Sequence, residues 1–194
     1  MSYFRYLAPL QAVVFGFAKG WFYTAFAHQV GPELLGVVMV VFGTVNGVAS
    51  FGFGYLYDRA SSKKVLFYIS SVLVLVNCGI AFYLQDLIAS DVETEATPLA
   101  VTLFFVVGAV FGMSFAAMET GSTAIVATLL SSNPKDVASA YGCRYFIESI
   151  IMAIVSAFSL RVDNQHQLLA LAVCTVVIGL IPVVLWPLDV AQAK

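Results

Sequence analysis

Charge is what this sequence has least of. Asp, Glu, Lys and Arg make up 10% of its 194 residues, whereas 61% are hydrophobic and the mean hydropathy is +0.94. So little polar surface cannot cover a water-soluble globule of this length, and the composition places the chain among integral membrane proteins. No basic patch is present, which excludes nucleic acid as a partner. The net charge of −2 says little, because in such a chain the placement of charge matters more than its sum. Cysteine is scarce as well. Cys78, Cys143 and Cys174 all fall inside long apolar runs, and an odd set of that kind reads as packing thiols rather than a disulfide or metal framework. His28 and His166 are far apart and isolated. No Ser/His/Asp set, phosphate-binding glycine loop or metal-ligand spacing occurs, so the sequence reads as non-enzymatic and without a cofactor. It also has no Asn-x-Ser/Thr acceptor by which glycosylation could report topology.

What the chain does have is apolar length. Six runs of roughly 20 residues or more match the bilayer core: 6–27, 34–57, 65–84, 99–130, 137–160 and 168–188. Only helices satisfy their own backbone groups in lipid at this length, which predicts an all-α, polytopic domain of six transmembrane helices spanning 1–194. The fourth run is long for one span; Gly108, Gly112 and Gly121 would let it tilt or bend, and a re-entrant break is the rival reading. Gly31-Pro32, Thr97-Pro98 and Asn133-Pro134 punctuate the runs as helix boundaries. Linkers are short, as in one compact bundle.

Basic residues set the orientation. Placing Arg59, Lys63 and Lys64 in the cytoplasm puts Arg5, Lys135 and Lys194 on the same side and leaves Arg161 among the opposite loops. The loop with Asp86, Asp91, Glu93 and Glu95 has no basic residue and falls outside. Both termini are then cytoplasmic. Lys19 lies within the first run, unlike the apolar centre of a signal peptide, so that run reads as a retained helix.

Helices pack in lipid through small residues four apart, and four such pairs occur: Gly16/Gly20, Gly43/Gly47, Gly108/Gly112 and Ala138/Gly142. They predict a tight bundle. Ionisable residues at membrane depth are the sharper signal, because each costs several kcal/mol unless paired or hydrated. Counted at roughly 1.5 Å per residue from the helix ends, Lys19, Glu119 and Glu148 fall near the bilayer middle with Asn46 and Asn77. Arg144 is one turn away and shares a face with Glu148. A polar layer at one depth suits a central pathway; the plainer alternative is a set of neutralised pairs, Arg144–Glu148 and Lys19–Glu119, that fix helix register. Desolvation disfavours a carboxylate, and Arg144 opposes that effect at Glu148, which makes Glu119 the candidate proton carrier.

The segment Gly54-Tyr-Leu56-Tyr-Asp58-Arg59-Ala-Ser-Ser-Lys63-Lys64-Val65-Leu66 resembles the cytoplasmic loop of major facilitator transporters, in which a glycine-ended helix leads to an Asp-Arg pair and a basic cluster. Ser61 stands where that family usually has glycine and Ser62 where it has a basic residue. The resemblance implies interdomain contacts for Asp58 and Arg59; setting topology is the other role open to Arg59, Lys63 and Lys64. Within that superfamily the chain looks most like the Unc-ninety-three-like group, the uncoordinated-type ion channel regulatory proteins. The likeness rests on Gly16-Phe-Ala-Lys19-Gly20-Trp21-Phe22, on Gly36-Val-Val-Met39 through Gly43 and Asn46, on Gly112-Met-Ser114 with Glu119-Thr120, and on Ala138 to Phe146 with Arg144. Phe115 stands where the group commonly has Asp, and Glu119-Thr120-Gly121 where it has an Asn-Thr-Gln cluster.

That resemblance implies one half of a twelve-helix bundle, the C-terminal six, whose site lies between two halves. The partner would be the N-terminal half or a second copy. Two functions stay open: a transporter half moving a small solute by alternating access, or a regulator or chaperone of an ion channel or receptor. The plasma membrane and an endomembrane are both compatible with it.

Overall fold

The computed structural model describes residues 2–60, 64–90, 98–129, 134–159 and 161–180, and every regular element among them is helical. The order is α1 (Ser2–Trp21), a π-helical segment (Phe22–Phe26), α2 (Ala27–Val30), α3 (Pro32–Arg59), α4 (Val65–Ser90), α5 (Pro98–Leu129), α6 (Pro134–Ser159), α7 (Asn164–Cys174) and a second π-helical segment (Thr175–Leu180). Four stretches, in α3, α4, α5 and α6, are long and apolar enough to cross a bilayer. The protein is therefore a helical membrane protein. Positions 181–188 of the last apolar run lie outside the described residues.

Local chemistry explains the boundaries. Gly31 has φ 75° and ψ 161°, a backbone state that L side chains rarely adopt, and it turns the chain before Pro32 opens α3. Pro98 and Pro134 begin α5 and α6 in the same way, where a missing N–H costs nothing. Asp163 caps α7 by accepting from the Gln165 N–H at 3.3 Å. α5 continues through Gly108, Gly112 and Gly121 without a re-entrant break. Hydroxyls buried in the spans bond back to the preceding turn, as Ser122 does to the Met118 carbonyl at 2.6 Å and Thr175 to that of Leu171 at 2.8 Å.

Two sets of helices make the packing. α1 and α6 run in the same direction against each other: a Cβ built on Gly16 would lie 2.5 Å from the Glu148 carbonyl oxygen, and one on Gly20 would lie 2.8 Å from Val155 Cβ. α3 and α5 are parallel by the same logic, with Gly108 facing Val38 and Gly112 facing Phe42, Val45 and Asn46. α4 lies antiparallel on α5, because Leu66 faces Gly121 while Ser70 pairs with Ser114. The two serines are reciprocal: Ser70 Oγ donates to the Ser114 carbonyl at 3.0 Å, and Ser114 Oγ to the Ser70 carbonyl at 3.2 Å. α7 and the second π-helical segment rest on α4.

Aromatic rings join the two sets. Phe15, Trp21 and Phe22 of the first helical stretch meet Phe42 of α3 and Phe111 and Phe115 of α5, with ring centroids 4.8 Å apart for Phe15–Phe115 and Phe22–Phe111 and 4.9 Å apart for Phe22–Phe42. Such ring pairs add about 0.5–1.5 kcal/mol each beyond their burial. The π-helical segment turns the rings: the Ala27 N–H reaches the Phe22 carbonyl five residues back, and the Thr24 hydroxyl donates to the Gly20 carbonyl.

Candidate functional site

Just below this aromatic layer, four of the ionisable residues singled out in the sequence come together from three helices. Lys19 of α1 donates to Glu148 Oε1 of α6 at 2.6 Å and to Glu119 Oε1 of α5 at 3.0 Å. Arg144 Nη2, one turn before Glu148 on α6, lies 3.8 Å from Glu148 Oε2. The sequence pairing of Lys19 with Glu119 thus holds only half of the arrangement, since the shorter bond goes to Glu148. Two cations and two carboxylates make the cluster formally neutral. In a low-dielectric surrounding that balance is what makes such charges tolerable.

Gly16 makes the cluster possible. Its missing side chain lets α1 approach the Glu148 backbone closely enough for Lys19, less than one turn further on, to reach the Glu148 carboxylate. Rings complete the setting. The Lys19 ammonium lies 4.3 Å from the Phe15 centroid and 5.6 Å from that of Phe115, and the Arg144 guanidinium is 5.7 Å from Phe15 and 5.1 Å from Tyr145. Tyr23, on the exposed side, lies in the electrostatic field of Lys19, Glu119 and Glu148. Phe15 escaped notice in the sequence, and Phe115 stood out there only as a replacement for Asp, although each precedes its charged neighbour, Lys19 or Glu119, by four residues and therefore shares its helix face.

Exposure differs sharply within the cluster. The Arg144 and Glu148 side chains are 3% and 7% exposed, Lys19 is 16% exposed, and Glu119 is 39% exposed. Arg144 Nη1 and Nη2 and Glu148 Oε2 have no hydrogen-bond partner among the described residues, and Nη2 and Oε2 face each other across the 3.8 Å ion pair. The other predicted midplane residues stand apart. Asn46 lies on the α3 face against Gly112, and Asn77 is fully buried in α4; Asn46 Oδ1 and both amide atoms of Asn77 have no hydrogen-bond partner among the described residues.

The loop motif is elsewhere, at the far end of α3. Gly54 faces open space, Asp58 and Arg59 are exposed, and the Arg59 guanidinium lies 4.1 Å from the Tyr55 ring centroid. Lys64 is half-buried at the start of the next helix, and Lys63 lies outside the described residues. An apolar groove of about 260 Å³ between Phe17, Ile154, Phe158 and Gln167 is on another face of α1, since Phe17 is two residues from Lys19. It does not touch the charged cluster.

Fold and site together define a helical membrane protein with a neutral four-charge cluster held between its helices. No family model, curated protein or solved structure matches the chain.

Proposed function

We propose that the chain is one six-helix half of a major-facilitator-like secondary transporter of the Unc-ninety-three-like group, moving a small solute by alternating access. The observation that carries this reading is a single ammonium, Lys19, partly buried in the bundle and shared between carboxylates of two different helices, one enclosed and one half-exposed. Charges buried only to fix register have no need of an open member. Lys19, Glu119, Arg144 and Glu148 line the route in this proposal, Asn46 and Asn77 flank it, and Glu119 carries the coupling proton, since protonation would weaken its hold on Lys19. Asp58, Arg59, Lys63 and Lys64 form the loop that contacts the other half, at the cytoplasmic side, with both termini on that side. The other half is an N-terminal six-helix unit or a second copy, in the plasma membrane or an endomembrane.

Uptake of a panel of labelled small solutes into proteoliposomes tests this reading. Uptake of at least one solute that Lys19→Ala abolishes supports it; no uptake of any solute would sink it. A second reading, a regulator or chaperone of an ion channel or receptor, draws on the bare face of α3, where Val40, Val48, Phe51 and Tyr55 are 65%, 69%, 84% and 59% exposed. Co-purification of one defined channel or receptor, undisturbed by Lys19→Ala, would favour it.

A further inference from the structure

The two carboxylates on Lys19 are not equivalent. Glu148 is enclosed, sits 2.6 Å from the ammonium, and is braced on its other oxygen by Arg144. Its helix is locked against α1 at Gly16. Glu119 is 39% exposed, bonds at 3.0 Å, and has no second cation beside it among the described residues. Glu119 is therefore the member that can leave. When it does, Lys19 and Arg144 face Glu148 alone, and the remaining cluster carries a net charge of about +1 in a poorly solvated place. A single negative charge restores neutrality. A cation would double the imbalance, a neutral solute would leave it standing, and a dianion would overshoot to −1.

The surroundings define the rest of the ligand. Phe15 and Phe115 border the ammonium, Phe42 lies 5.5 Å from Phe115, and the exposed Tyr23 lies 6.2 Å from Phe42. Phe15, Phe115 and Phe42 are buried against one another, whereas Tyr23 is 43% exposed, so Tyr23 is the ring left to meet an apolar, ring-sized body beside the charged group. Resting on the transport reading for its pathway, we propose that the solute is a monocarboxylate with an aromatic or similarly apolar body, and that Glu119 is the internal carboxylate it displaces from Lys19.

The test uses benzoate as the probe, with benzamide, benzylamine and phenyl phosphate as its neutral, cationic and dianionic counterparts, titrated calorimetrically against the whole chain in lipid nanodiscs. Benzoate is expected to bind and the other three to fail. Glu119→Gln removes the internal competitor at constant size and should tighten benzoate binding by about tenfold, the gain from a site that is otherwise open about a tenth of the time. Lys19→Gln should abolish it. Isotope-edited infrared difference spectra of the unaltered protein with carboxyl-labelled benzoate supply a readout that depends on no variant: the protein carboxylate band of an ion-paired Glu119 should shift as benzoate binds. Preference for benzylamine, absence of benzoate binding, unchanged affinity in a folded Glu119→Gln, or a static carboxylate band would each overturn the assignment. The transport reading fails separately. Benzoate binding without flux of any solute into proteoliposomes removes transport and keeps the carboxylate site, whereas flux of benzylamine without benzoate binding does the reverse.

Discussion

Three glycine pairs of identical spacing fall into two opposite kinds of surroundings in this molecule. Around Gly16/Gly20 and Gly108/Gly112 a neighbouring helix comes so close that an added Cβ would meet atoms at 2.5, 2.8, 3.1 and 2.6 Å, respectively. Around Gly43 and Gly47 of α3 it would meet nothing within 4 Å, and the same is true at Gly142 of α6. The contrast extends to whole helices, for the apolar window of α5 is 50% buried and that of α3 only 11%. Small residues at a spacing of four permit close approach but do not command it; a partner helix must be present on that side. Where one is present, the approach delivers the charged cluster as well as packing, because Gly16 brings Lys19 within reach of Glu148.

The strongest way to break the closed side is to orphan its charges. Lys19→Met leaves the enclosed Glu148 with only Arg144 at 3.8 Å and should destabilise the chain by about 3–5 kcal/mol. Lys19→Met with Glu148→Gln should lose less than Lys19→Met alone, and unfolding in mixed micelles by titrated denaturing detergent measures both. If the double variant is the weaker one, the Arg144 charge that Glu148→Gln orphans costs more than the Glu148 charge that Lys19→Met orphans. Next in size is crowding. Gly112→Ala would press a methyl group against the Phe42 carbonyl oxygen, already 2.6 Å from the built Cβ, and should cost about 1–3 kcal/mol in the same assay. A loss below half a kcal/mol would mean that α3 and α5 are not held at this separation.

How much of this was legible in the sequence follows from the same contrast. Apolar runs with proline at their starts mark where α3, α5 and α6 begin, because proline's missing N–H is tolerated in the first turn. Counting along each run gives depth, so Lys19, Glu119 and Glu148 could be placed at one level. Depth is not azimuth. Which way a helix face turns depends on its neighbours, so the sequence left the second bond of Lys19 unseen, put Asn77 in the same layer although no hydrogen bond ties it there, and could not separate Gly16/Gly20 from Gly43/Gly47. The π-helical turn at Phe22–Phe26 has no local sequence signal either, since the ring contacts with Phe42 and Phe111 that accompany it come from distant parts of the chain.

A smaller effect sharpens the comparison within the closed side. Ser70→Ala removes one hydroxyl of the reciprocal pair between α4 and α5 and should cost about 1 kcal/mol, the net worth of an ordinary buried hydrogen bond. Ser114→Ala should cost about the same, and the double variant less than the sum, because each single change also leaves the other hydroxyl with fewer partners. Strict additivity of the two losses would mean that each hydroxyl acts through its own bond to the opposite carbonyl and that the contact between the two hydroxyls contributes nothing.

The smallest expected effect is on the open side. Gly47→Ala places a methyl group where nothing lies within 4 Å, and alanine also favours the helix more than glycine does, so the isolated chain should be unchanged to within about 0.5 kcal/mol. Set beside Gly112→Ala, the same chemical change on the helix packed against α3, this isolates the neighbour as the cause. The comparison becomes decisive in native membranes. If Gly47→Ala is silent in the purified chain yet lowers the protein's level or activity in the membrane, the glycines of α3 are covered there by a helix that these residues do not supply. If it is silent in both settings, α3 faces lipid, and its glycines have no packing role.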